Sequence, residues 1–219
     1  MTTTSTLGEL AVTHPAAARV FYRHGLDFCC GGGRPLADVC AERGLDPDAV
    51  LAAIDQEGTI AGGARRWDLE PLPDLVHFIV DTYHRRLREA FPELLRMAAR
   101  VEERHGQKDT CPKGLVAQLT TMRADVLDHL AKEEHVLFTL ILSGRGPMAM
   151  APIRKMEEEH EDHARNLRVV RRLTHDLQPP ADACATWRAL YLGLQAFEQE
   201  LMVHIHLENN VLFPRALAE

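Results

Sequence analysis

Apolar and polar positions repeat with a helical period over four long stretches of this chain, at about residues 73–105, 113–143, 146–175 and 182–214. The segments between them are short and carry Gly or Pro: GQKDTCPKG, SGRGP and DLQPPAD. Long amphipathic helices with short connections predict an up-down-up-down four-helix bundle, each helix on the order of 45 Å long at about 1.5 Å per residue. Upstream the pattern is finer. Thr13 as a cap with Pro15 in the first turn predicts a helix to about His24, stopped by Gly25. After the loop DFCCGGGRP, a second helical stretch covers residues 36–43, and a third runs from about Pro47 to Gln56 with Asp46 as its cap. The segment GTIAGGARRWDLEP, at about residues 58–71, then breaks the pattern with Gly and Pro. The chain reads as all-α, with a small helical domain over residues 1–60 and a four-helix bundle over residues 71–219.

Composition agrees and removes several functions. Hydrophobic residues are 46% and charged residues 26%, as in ordinary globular proteins, and only 5% are aromatic, which favours helix over sheet. Uncharged runs such as 49–54 fall far short of the roughly 18–20 residues that cross a bilayer, so no membrane partner is expected. The start, MTTTSTLGEL, has no basic region followed by an apolar stretch, and a cytoplasmic location is expected. The net charge is -7, and the densest basic patch (Arg85, Arg86, Arg88) has Asp81 and Glu89 beside it, which argues against a nucleic-acid surface. Five cysteines make an odd set for a disulfide framework. Twelve histidines stand out.

An internal duplication accounts for several of them. The segment from His129 to Phe138 recurs from His204 to Phe213, both reading H-x-x-x-E-x-x-V-L-F, 75 positions apart. His84 and His160 echo this at 76 positions, and the acids Asp81 with Glu157 and Asp125 with Glu200 correspond as well. Residues i and i+4 of a helix share a face about 6 Å apart, so His129 with Glu133, and His204 with Glu208, each present an imidazole beside a carboxylate. A single histidine of this kind is usually a surface or satisfied core residue, and one such pair is usually an ordinary helical contact. Two copies in register, with His84 and His160 also in register, point instead to two cations bridged by Glu133 and Glu208 with imidazoles as terminal ligands. Nitrogen-rich ligation with carboxylate bridges suits iron best, and manganese or zinc less well. His105 has no counterpart in the repeat, since Pro180 stands there, and it lies nearly six turns from His84; spacing alone makes it a surface residue.

The chain resembles the repair-of-iron-centres family, whose C-terminal part is a hemerythrin-like domain. The resemblance is carried by D-F-C-C-G-G near the N-terminus, Y-H in the first long helix, CPKGLV, H-x-x-x-E-E, M-E-x-E-H and H-x-x-L-E-N-N-V-L-F-P-R-A-L, and it covers essentially all 219 residues. It implies two non-haem iron ions, oxo- and carboxylate-bridged, with His84, His105, His129, Glu133, His160, His204 and Glu208 as ligands. His105 thereby becomes an expected ligand, which requires the first helix to bend or to end in a loop that folds back. Asp125 and Glu159 match polar positions near the family's metal site, as a second shell or an exit path for iron. His77, His135, His163 and His206 are displaced from the repeat and are expected to face solvent.

Cys29 and Cys30 lie in a Gly-rich turn resembling the family's N-terminal domain. Adjacent cysteines bridge each other only through a strained eight-membered ring. A bridge between chains, a partner-exchange thiol or a transient metal ligand remain as roles, beside a purely conformational role for the glycines. Cys40, Cys111 and Cys184 show no spacing signal. The resemblance implies repair or resupply of iron to iron–sulfur clusters damaged by nitric oxide or peroxide, with iron–sulfur proteins as clients and a homodimer left open. The alternatives are a carrier or sensor of oxygen or nitric oxide, and an enzyme reducing nitric oxide or peroxide at the di-iron centre.

Overall fold

The computed structural model describes residues 1–61 and 65–218. They are overwhelmingly helical, and the only β-type pairing among them is an isolated bridge between Thr6 and Pro35. Gly62, Gly63 and Ala64, in the predicted break, lie outside the described residues. Among the described residues no helix is long and apolar enough to cross a membrane.

The chain divides into two compact units, one of Met1–Ile79, Leu140–Ala151 and Met202–Glu219, the other of Val80–Thr139 and Pro152–Leu201. In the first unit, helices α1 (Leu7–Thr13), α2 (Ala16–Arg23), α3 (Leu36–Arg43) and α4 (Pro47–Ala61) close on a core of Leu7, Leu10, Phe21, Phe28, Leu36 and Ile54. Helix α1 was not expected. A capping box starts it, Thr6 Oγ1 accepting from the Glu9 amide at 3.2 Å while Glu9 Oε2 accepts from the Thr6 amide at 2.9 Å. Thr13 therefore ends α1, and Pro15 stands at the N-cap of α2. Helix α4 also outruns its expected end at Gln56, while Asp46 Oδ1 does accept from the Asp48 amide at 3.0 Å. After it comes α5 (Leu72–Phe78), its Phe78 ring stacked on Trp67 at 4.3 Å.

The end of the chain belongs to this unit. Met202 and Val203 pack against its core, and Arg215 in α11 (Phe213–Ala218) donates to the carbonyls of Trp67 and Glu70 at 3.0 and 2.8 Å. Gly8 and Gly32 leave room for the Asn210 side chain; a Cβ on either would sit 2.5 Å from its Oδ1. The ring of His206 is buried edge-on to Phe28, centroids 5.6 Å apart, and does not face solvent as its displacement from the repeat suggested.

The second unit is the four-helix bundle. Its helical runs are α6 (Arg85–His105), α7 (Leu115–Lys132), and all but the ends of α9 (Met150–Leu173) and α10 (Ala185–Leu207), while the short α8 (Phe138–Leu142) follows the second run. Buried positions recur every three or four residues: Leu87, Phe91, Leu94 and Val101; Leu115, Leu119, Met122 and Val126; Ile153, Met156, Leu167 and Val170; Trp187, Leu190, Leu194 and Leu201. Each such side chain contributes about 1.5–3 kcal/mol on burial. Continuing those rows places His129, Glu133, His160 and His163 in the interior, so one end of the bundle trades aliphatic packing for imidazole and carboxylate.

The long helices are not uniform. Wider π turns occupy Ile79–His84, Glu133–Leu137 and Glu208–Leu212. Each begins or ends on a predicted metal ligand, and such turns are frequent at functional sites.

Two outcomes test this packing. A Cβ at Gly146 would overlap the Ala216 carbonyl oxygen, whereas among the described residues nothing beyond its chain neighbours lies within 4 Å of one at Gly33. Gly146→Ala should lower the unfolding free energy by about 1–3 kcal/mol in urea titrations, with Gly33→Ala near neutral. Burial pushes the His206 pKa from 6.5 down to about 4, against hydrogen bonds with the Phe28 and Ala11 backbone. The neutral ring is the folded form, so its contribution is whole above pH 6.5 and lost as the pH falls towards 4. Over that fall the protein should lose about 3 kcal/mol more stability than His206→Gln loses.

Candidate metal centre

Glu133 starts the π turn that follows α7, and both it and the imidazoles around it are wholly buried. Its Oε2 lies 3.4 Å from His84 Nε2. Its Oε1 lies 3.3 Å from His129 Nε2 and 3.9 Å from His160 Nε2. One carboxylate therefore presents different oxygens to different imidazoles. The ligand atoms of His129, Glu133 and His160 all fall within 4.8 Å of one another, as do those of His84 and Glu133.

Outer carboxylates fix which ring nitrogen faces inward. His84 Nδ1 lies 2.7 Å from Glu134 Oε1, which also accepts from Arg88 Nη2 at 2.9 Å. Burial would raise the Glu134 carboxyl, but hydrogen bonds from His84 and Arg88 hold it below the ordinary range. An ionised carboxylate only accepts, so His84 carries a proton on Nδ1 and turns Nε2 towards Glu133. The same logic holds for His129, whose Nδ1 lies 3.0 Å from Glu159 Oε2. The hydrogen bond from His129, opposed by burial and joined by one from Lys132 at 2.7 Å, lowers the Glu159 carboxyl to about 2. His129 Nε2 and His160 Nε2 then stand 3.1 Å apart. Either a proton lies between them or both lone pairs point at a common cation. Donors of this kind around a buried carboxylate fit iron.

The second copy of the motif repeats the local geometry. His204 and Glu208 are wholly buried, Nε2 to Oε1 at 3.0 Å, and Glu208 begins a π turn as Glu133 does. The residue after the glutamate differs in use. Glu134 supports an imidazole in the first copy, whereas Asn209 in the second donates to the Cys29 carbonyl at 3.2 Å.

His105 is not brought to this cluster. Helix α6 runs on to His105 with Pro92 inside it, so no returning loop intervenes, and about 1.5 Å per residue puts the ring some 30 Å along the helix from His84. Its Nε2 instead lies 3.3 Å from Cys184 Sγ, and its ring packs on Trp187 at 5.0 Å. His163 departs from expectation in the other direction: it is buried, its ring perpendicular to that of His129 with centroids 4.8 Å apart. Its place in the 153–156–160–163–167 stripe explains this. His77 and His135 are exposed. Glu159 and Asp125 line one open cleft of about 360 Å³ with Asp128, Lys132 and His163, and Asp125 Oδ2 accepts from Asn166 at 3.3 Å. Sequence reasoning missed Glu134; its signal was the second acid of H-x-x-x-E-E. Cys29 is buried and Cys30 half-buried, and a hydrogen bond with Cys30, burial and the neighbouring Asp27 charge push the Cys29 thiol well up.

Comparison with known proteins gives the same region a lineage. Residues 76–216 match the Hemerythrin HHE cation binding domain, and residues 3–57 match a domain of unknown function (DUF542). Proteins named iron-sulfur cluster repair protein YtfE are similar throughout. Those of Yersinia pseudotuberculosis (serotype IB, strain PB1/+) and Yersinia pestis (strain Pestoides F) are each 46% identical over 211 residues, 96% of either chain.

Neutralising the outer acids should loosen the site without abolishing it. Glu134→Gln and Glu159→Gln keep size and burial but weaken the hold on the Nδ1 proton. Each should weaken iron affinity about 10–100-fold in competition with a chelator, while Glu89→Gln on the exposed face changes nothing measurable.

Proposed function

This chain belongs to the hemerythrin HHE family and, within it, to the YtfE-type iron–sulfur cluster repair proteins, and we propose that it holds two iron ions and resupplies iron to clusters damaged by nitrosative or oxidative stress. One observation carries the reading: Glu133 directs Oε2 to His84 and Oε1 to His129 and His160, the disposition of a carboxylate shared between two cations. The residues that would hold the ions are His84, His129, Glu133, His160, His204 and Glu208. Support for His204 and Glu208 comes from the repeat, since they share the spacing, burial and π turn of His129 and Glu133. His105 is left out.

When bound, iron supplies exchangeable ferrous ions and a binding position for a small gaseous ligand. Protein groups do the rest. Glu134 and Glu159 hold two imidazoles in the tautomer that ligates, and the bundle core keeps bulk water from the carboxylates. Glu159 lies 12% exposed beside Lys132 and Lys155, and with Asp125 it offers a departing cation an acidic route to the cleft. We assign residues 1–60 to a domain carrying the Cys29–Cys30 pair for contact with iron–sulfur clients, and residues 71–219 to iron storage. The matches to residues 3–57 and 76–216 support that division, and the work is assigned to the cytoplasm.

A nitric oxide-damaged [4Fe–4S] hydro-lyase, mixed anaerobically with the ferrous-loaded chain, provides the test. Its activity should return while the chain loses iron in proportion, and Glu133→Gln should restore less than about a tenth as much. Equal recovery with wild type and Glu133→Gln would overturn the reading. Sustained consumption of nitric oxide with a supplied reductant and no recovery would favour a gas-reducing enzyme instead.

A further inference from the structure

The turn at residues 27–33 holds donors that the His–Glu centre does not use. Asp27, Cys29 and Cys30 place a carboxylate oxygen and two sulfurs within 4.8 Å of one another. Cys29 Sγ lies 3.3 Å from Asp27 Oδ1 and 3.9 Å from Cys30 Sγ. Both thiols are free of disulfides. The turn is tightly fixed. The Cys30 amide donates to Asp27 Oδ1 at 3.0 Å, and a Cβ on Gly31 would stand 2.7 Å from the Asp27 carbonyl oxygen. Asn209 and Asn210 donate to the Cys29 carbonyl at 3.2 and 3.4 Å, and Asn210 also to the Phe28 carbonyl at 3.3 Å.

These separations match a metal's demands. Two thiolates on one tetrahedral cation, at about 2.3 Å each, stand about 3.8 Å apart, and a thiolate and a carboxylate oxygen about 3.6 Å apart. The cysteine sulfurs are 3.9 Å apart, and the sulfur-to-oxygen distance is 3.3 Å. Burial is graded across the donors: Cys29 is buried, Cys30 half-buried and Asp27 exposed. The set is closed on one side and open on the other, which leaves a fourth position for water or a donor from elsewhere.

We propose that Asp27, Cys29 and Cys30 form a second metal site that takes one borderline divalent cation, ferrous iron or zinc, through two thiolates and one carboxylate. Binding forms two metal–sulfur bonds and releases the two thiol protons to solvent, with no change of oxidation state. Three protein ligands and an open position suit a cation in transit better than a structural ion, which closed four-ligand sites hold. The asparagines tie this turn to the backbone next to Glu208, so the same helix end that carries a proposed iron ligand also fixes the thiolate site.

The test is an anaerobic titration of the full, iron-loaded chain with cobalt(II). One further cobalt per chain should bind, with thiolate-to-cobalt charge-transfer absorption in the near ultraviolet and the intense visible bands of a tetrahedral ion. Cys30→Ser should remove about half of the charge-transfer intensity. Asp27→Asn, which keeps the oxygen that accepts from the Cys30 amide, should keep that intensity but weaken binding about tenfold. Displacement of cobalt by ferrous iron or by zinc identifies the cation and supports the site. Failure of both to displace it overturns the site, as does a missing thiolate band or equal titrations for wild type and the two variants. Circular dichroism of each variant checks the fold, and Asp27→Asn alone decides the matter should Cys30→Ser unfold.

Discussion

A carboxylate in the core of a helical bundle is held there against a large desolvation cost, several kcal/mol even after relaxation. Glu133 is such a group, wholly buried, and imidazoles of His84, His129 and His160 stand around its charge. Neutral imidazoles alone are a weak answer to a buried negative charge. Positive charge from outside the polypeptide completes the balance. The outer carboxylates Glu134 and Glu159, the aliphatic rows that fix the helices and the turns that aim the ligands all follow from that requirement.

The helix that feeds this centre is wound to suit it. A regular α-helix carries i and i+4 on one face, but an inserted π turn rotates the following residues and changes which atoms meet. Three of these turns coincide with His84, Glu133 and Glu208. The two copies of the motif share the His–Glu pair and the wide turn but differ one residue later. Glu134 now orients an imidazole, while Asn209 secures the cysteine turn. The second copy is thus a point of attachment for the N-terminal segment, whose Gly8 and Gly32 accommodate Asn210.

Much of this was legible in the chain itself. The helical period and short Gly- and Pro-bearing links fixed the bundle, and the paired H-x-x-x-E motifs in register with His84 and His160 named the buried imidazoles and carboxylates. What escaped has physical causes. The π turns leave no trace in residue spacing, since the motif reads the same in either winding. Burial of His163 and His206 depended on stripes that continue beyond the repeat, and a search confined to the repeat put both in solvent. Helix α1 was missed because its capping box, Thr6 with Glu9, precedes a short segment with little periodicity. The resemblance implied His105 as a ligand and the spacing put it out of reach, and the structure packs its ring on Trp187 beside Cys184.

On the proposed reading, buried carboxylates beside imidazoles hold a pair of iron ions. Metal analysis combined with Mössbauer spectroscopy of the purified chain tests it most directly. Two iron ions per chain are expected, magnetically coupled, with both lost together from Glu133→Gln. One iron per chain, zinc alone, or a Glu133→Gln protein that retains both ions would contradict it.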